Sequence, residues 1–182
     1  MSEPQQTAES LSQRARQAAK EGRLGDAEGS WLAAIALLRQ DGSKAQLGRA
    51  LRELGELERK IQNPAAARQH YEEAVSLLRE AGETLVLAHT IRHLGDVHRD
   101  AGRLTEAEPC YVEALTIYRR QTNAPPLDLA NAIRSFAVLR GDTGENKAAA
   151  ELWREARGLY QFVGVQEGVA ESDRQITRLT SA

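Results

Sequence analysis

The chain has 182 residues and a mass of 20.0 kDa, enough for one ordinary domain or one short repeat array to bury a core without covalent staples. Its 24 basic and 26 acidic residues leave a formal charge of -2, so no global field draws it to nucleic acid or to an anionic membrane. The single cysteine, Cys110, excludes an internal disulfide framework and any paired-cysteine metal or redox motif. One thiol fits a reducing, cytoplasmic setting. The longest apolar run, Trp31 to Leu38, is eight residues, whereas a membrane span needs about 20. The first thirty residues carry Glu3, Glu9, Glu21 and Asp26 and lack the apolar stretch of a secretory signal. Aromatics are only 4%, and β-branched residues never alternate, so the expected class is all-α.

After a polar tail of roughly six residues, the chain reads as helical hairpins repeating one skeleton. Leu54-Gly55, Ala67, Tyr71 and Ala74 recur 40 residues later as Leu94-Gly95, Ala107, Tyr111 and Ala114. Stepping back 40 gives Ala15, Ala27, Trp31 and Ala34, and stepping forward 42 gives Phe136-Ala137, Ala149, Trp153 and Ala156. The four units are expected near 8–42, 48–82, 88–122 and 130–163, as a single domain. Within the second, Ala50, Leu51, Leu54, Leu57 and Ile61 form one helical stripe. Asn63-Pro64 breaks it, and Ala67, Tyr71, Ala74, Val75 and Leu78 form the next.

Punctuation repeats as well. Gly22, Gly102 and Gly144 stand between the helices of their units, where a left-handed C-cap is expected. Gln62 takes that place in the second unit, and Asn63-Pro64 is expected to supply the break instead. Units are joined by Asp41-Gly42-Ser43, by Ala81-Gly82-Glu83 and by the longer Gln121 to Pro126. Gly164 to Gly168 reads as a turn, followed by a lone capping helix near 168–180 that covers the last apolar face. Ala15, Gly55, Gly95 and Ala137 mark where the first helix is approached most closely, and Ala27, Ala67, Ala107 and Ala149 mark the reciprocal contact. An aromatic, Trp31, Tyr71, Tyr111 or Trp153, fills the gap at each level.

This skeleton, with [Leu/Phe]-[Gly/Ala] in the first helix and Ala-x3-aromatic-x2-Ala in the second, resembles the tetratricopeptide repeat, here from about Leu11 to about Tyr160. The spacing exceeds the family's usual length, and Leu94 to Arg119 and Ala130 to Ala156 look most like the longer repeats of kinesin light chain and its bacterial relatives. Where the family often has a tyrosine late in the first helix, this chain has Ala18, Glu58, His98 and Arg140. The resemblance implies a right-handed superhelical solenoid of four hairpins plus the cap, with first helices lining a concave, peptide-binding face. It implies no catalysis.

Projected on that frame, the groove-facing residues are Glu9, Ser12 and Arg16; Arg49, Arg52, Glu56 and Arg59; His89, Arg92, Asp96 and Arg99; and Asn131, Arg134, Val138 and Gly141. Arg52, Arg92 and Arg134 form a rung, taking the same place in three successive repeats. First helices roughly 10 Å apart and an extended peptide rising about 3.3 Å per residue match such a rung to an anion at every third residue. Guanidinium forks hold carboxylates bidentately. One reading is therefore a groove for an acidic segment or a C-terminal carboxylate, held by Arg49, Arg52, Arg92 and Arg134 with His89 and Asn131, and flanked by Arg59 and Arg99. The other is a solvated, self-paired face, since Arg52 and Glu56, like Arg92 and Asp96, stand four apart on one helix. Arg134 favours the first reading, because Val138 denies it such a partner.

Little else suggests chemistry. His89, His93 and Asp96 have a spacing that presents two imidazoles and a carboxylate to a metal, but polar groove residues explain them as well, and no metal or cofactor is expected. Cys110 lacks an assignable base, Ser76 and Ser135 have no histidine-carboxylate constellation, and no phosphate-cradling glycine loop is present. Glu72-Glu73 reads as a solvated outer face, and Trp31 and Trp153 read as packing. The expected function is a non-catalytic scaffold, monomeric or weakly dimeric, binding a protein or peptide and neither nucleic acid nor membrane. Two alternatives stand beside it: a sensor or regulatory portion of a bacterial signalling or transcription system, and a self-assembling module whose last helix docks on another copy.

Overall fold

The computed structural model describes residues 7–41 and 43–181. The tail expected over the first six residues, and Gly42 in the first connection, lie outside them. Among the described residues there are nine α-helices and no strand: α1 Ala8–Lys20, α2 Leu24–Asp41, α3 Lys44–Lys60, α4 Pro64–Glu80, α5 Thr84–Asp100, α6 Leu104–Arg120, α7 Pro126–Asp142, α8 Asn146–Phe162 and α9 Gln166–Thr180. They make four helical hairpins and a capping helix. The chain forms two compact units, one up to Thr90 and one from Ile91.

In the first unit, α1 packs on α2, α2 on α3 and α3 on α4. Thr7 opens α1 with a capping box shared with Ser10. Asn63 caps α4 by accepting from the Ala66 amide, with Pro64 at the first helical turn, where its missing donor costs nothing. Leu51, Leu54, Ala67, Tyr71 and Leu78 are fully buried. A Cβ on Gly55 would meet the Tyr71 ring at 3.0 Å, and one on Gly48 would meet Leu78 at 2.8 Å. The small residues therefore set the helix separation.

In the second unit, the end of α5 meets α6 through the same device. A Cβ on Gly95 would fall 2.8 Å from Tyr111. Tyr111, Ala107 and Leu139 share a cluster with Phe136, and Trp153, Ala149, Ala150 and Ala137 pack with Leu179 and Ile176 of α9. Helix α9 thus covers its own chain, which the self-docking alternative did not expect.

Each hairpin turn ends in one left-handed residue. Gly22, Gly102, Gly144 and Gln62 all have φ between 63° and 79°. Around Gln62, its own N–H reaches the Arg59 carbonyl and the Asn63 N–H reaches that of Glu58, at 3.2 and 2.8 Å, the double bond of a Schellman cap. Gln62 is therefore the helix stop itself, and the break expected from Asn63-Pro64 begins one residue earlier. A second correction concerns Gly168, expected in a turn. It lies inside α9, where a Cβ would fall 2.5 Å from the Tyr160 ring, so it is a packing glycine, and the turn is confined to the residues around Gly164.

Candidate functional site

The arginines and polar residues singled out from the sequence are engaged by the chain itself. In the first unit, Arg49 pairs with Glu83 at 2.6 Å, and Arg52 pairs with its neighbour Glu53 although Glu56 stands four residues on. The Nε of Arg52 is buried without a hydrogen-bond partner. Glu56 lies within 3.8 Å of Lys60 instead. Arg59 and His89 are each held in interactions as well.

In the second unit the candidates divide. Arg92 and Asp96 are buried, unlike the partly exposed Arg134. Arg92 reaches Asp96 at 3.3 Å and the His93 Nε2 at 2.8 Å. Because a guanidinium only donates, Nε2 accepts, and His93 carries its proton on Nδ1, which lies 3.5 Å from Asp96. Tyr111 donates its hydroxyl to Asp96 at 2.8 Å. Burial alone would raise the Asp96 pKa, but His93, the Arg92 charge and the Tyr111 hydroxyl outweigh it and hold the carboxyl well below the usual range. Burial and the Asp96 charge push the Tyr111 hydroxyl up, so it remains a donor. His93 thus faces an arginine, and among the described residues no group of three or more His, Cys, Asp or Glu is placed to hold a metal.

Arg99 pairs with Asp100 at 2.8 Å. Asn131 accepts from the Tyr160 hydroxyl at 2.8 Å. Arg134 is held from another helix: its Nε and NH2 groups each donate to Glu171 of α9 at 2.7 Å, a bidentate fork on a carboxylate. That hydrogen bonding, against the opposing effect of burial, raises the Arg134 pKa. Beside the pair lies an open depression lined by Leu127, Asn131, Arg134, Tyr160, Glu167, Glu171 and Arg174.

Sequence reasoning missed Glu171 because it lies 37 residues beyond its partner on a helix read only as a cap. It also missed the outer ion pairs Arg39 to Glu73 and Arg119 to Glu155, at 2.6–2.9 Å. For these a signal existed: Arg39, Arg79 and Arg119, and Glu73, Glu113 and Glu155, recur with the repeat.

Cys110 is half-buried, with its Sγ toward the Glu106 carbonyl at 3.4 Å. Burial pushes its thiol up to about 11, which leaves no thiolate for nucleophilic work near neutral pH. No helix among the described residues is long and apolar enough to cross a membrane.

The hairpin geometry, with a small residue of the first helix under an aromatic of the second and a left-handed stop between them, coincides with a match of residues 86–161 to the tetratricopeptide repeat family model. Residues 86–161 are tetratricopeptide repeats. Such repeats generally mediate protein–protein contacts and are generally non-catalytic. The chain is similar to BtubC (BKLC) from P. vanneervenii, with a TM-score of 0.73 and 17% identity over 95% of this chain and 79% of that one. It is similar to the apo form of RapI, with a TM-score of 0.84 and 12% identity over 96% of this chain, which spans 50% of RapI. A putative kinesin light chain of Podosopora anserina with TPR-like repeats gives a TM-score of 0.76 and 14% identity, over 95% of this chain and 84% of that one. At these identities the likeness establishes the fold. No curated protein sequence matches the chain.

Proposed function

We propose that the chain is a non-catalytic scaffold that binds an acidic peptide or disordered segment of a partner protein at the polar face carrying Arg134. It does so as a monomer or weak homodimer, in a reducing, cytoplasmic compartment where Cys110 stays a thiol. Arg134 and Asn131 lead the site, both in the unit that begins at Ile91. Arg92 belongs to the rung by position but acts through the buried cluster it supports. The observation that carries the reading is the Arg134 fork itself, which holds a carboxylate delivered by a different helix with two hydrogen bonds of 2.7 Å. A partly exposed guanidinium in that geometry suits a glutamate, an aspartate or a chain-terminal carboxylate equally.

The test is fluorescence anisotropy with a dye-labelled hexaglutamate peptide against its hexaglutamine counterpart, at two salt concentrations. Salt-sensitive binding of the acidic peptide alone, weakened by Arg134→Gln at unchanged helicity, supports the reading. Equal binding of both peptides, or equal binding by the variant, overturns it.

A further inference from the structure

Arg134 and Glu171 tie α7 to α9 through two hydrogen bonds. In α5 the rung arginine finds its carboxylate four residues on, at Asp96, and both are buried. In α7 the residue four beyond Arg134 is Val138, so the counter-ion must come from elsewhere, and α9 supplies it. The side chains of Arg134 and Glu171 remain 39% and 27% exposed. Water and solutes reach this pair as they cannot reach the one in α5.

Helix α9 is also seated by contacts that do not involve that carboxylate. Leu179 and Ile176 pack on Trp153, Ala149 and Ala150, Gly168 lies against the Tyr160 ring, and Asp173 accepts from Arg157 at 2.5 Å. The depression beside Arg134 also carries Arg174, Glu167 and Glu171, two acids against two arginines. Taking the Glu171 carboxylate off Arg134 leaves the depression with an open guanidinium.

Resting on the reading above, we propose that Glu171 is a built-in competitor: its carboxylate occupies Arg134 in the free protein and gives way to a carboxylate of the bound acidic segment. An exposed pair of this kind is worth about 0.2–1 kcal/mol, which converts to a gain in affinity of roughly 1.4- to 5-fold when it is removed. The exchange therefore tunes binding without abolishing it.

The experiment titrates the dye-labelled hexaglutamate peptide into the 182-residue chain, after melting curves have established equal folding. Glu171→Gln should tighten binding about 1.4- to 5-fold, and adding Arg134→Gln should cancel the gain. Glu171→Asp, which keeps the anion, should stay close to the parent. Glu167→Gln removes the same charge from the same depression without freeing Arg134 and should yield less. Binding by the parent with no gain in Glu171→Gln, or an equal gain in Glu167→Gln, overturns the competitor role and leaves the acidic-ligand reading standing. Absence of binding by the parent and by Glu171→Gln alike overturns both.

Discussion

Tyr111 donates its hydroxyl to Asp96 at 2.8 Å while its ring lies against Gly95, so one side chain both spaces and locks the contact between α5 and α6. The hydrogen bond ends on an ionised carboxylate that also answers the buried Arg92. Tyr111→Phe keeps the ring and removes the donor, and it should cost about 2 kcal/mol in urea unfolding, the range for a buried hydrogen bond to a charged group.

The same cluster sets an acid limb. Asp96 has a folded-state pKa below its unfolded value, so its contribution is complete above the unfolded value of about 3.9 and is lost as pH falls through the folded one. Asp96→Asn should cost about 3 kcal/mol near neutrality, because Arg92 is left buried without its counter-ion. It should also flatten the loss of stability below about pH 4. Unfolding free energies measured from pH 7 to pH 2.5 would show a limb of equal slope in both proteins if Asp96 carried none of it.

Glu58 should behave with the opposite sign. It is buried, one carboxylate oxygen has no hydrogen-bond partner, and burial together with the Glu28 charge raises its pKa while the Asn63 side chain works the other way. For a carboxyl with a raised folded pKa, the favourable state is present below the unfolded value of about 4.3 and is lost as pH rises through the folded value. Glu58→Gln should therefore melt higher than the parent at pH 7 and converge with it near about pH 4. A difference that stays constant with pH would refute the assignment.

Two glycine substitutions should move stability in opposite directions. Gly95→Ala places a methyl 2.8 Å from the Tyr111 ring and should cost about 1–3 kcal/mol from overpacking, less about 1 kcal/mol gained in helix propensity. Gly29→Ala in α2 meets nothing within 4 Å and should gain about 1 kcal/mol. Thermal melts of the two variants side by side test whether the small residues are spacers.

Gln62 holds the left-handed stop with φ of 63°, a conformation that costs a side-chain-bearing residue about 1–2 kcal/mol. Gln62→Gly should recover about 1 kcal/mol by chemical denaturation. A decrease in stability would mean that the side chain contributes more than the backbone strain costs.

The repeats, their aromatic and small-residue contacts and their glycine stops were legible in the sequence, because a hairpin is made of local, periodic choices. Tyr71 over Gly55, and Tyr111 over Gly95, follow from a stripe that returns every 40 residues. Leu179 and Ile176 form the apolar face of the cap. Gln62 was misjudged because left-handed backbone is a matter of φ, and residue type only biases it.

The charged face was decided by tertiary structure. On one helix, Arg92 and Asp96 pair as their spacing suggests, but the same spacing in α3 brings Arg52 to Glu53 instead. Arg134, which looked unpartnered, is held by a glutamate 37 residues away. Apolar pattern is read from neighbours along the chain, whereas a long arginine chooses among every carboxylate that folding brings within about 4 Å. That choice depends on helix spacing and rotamer, and no periodicity records it.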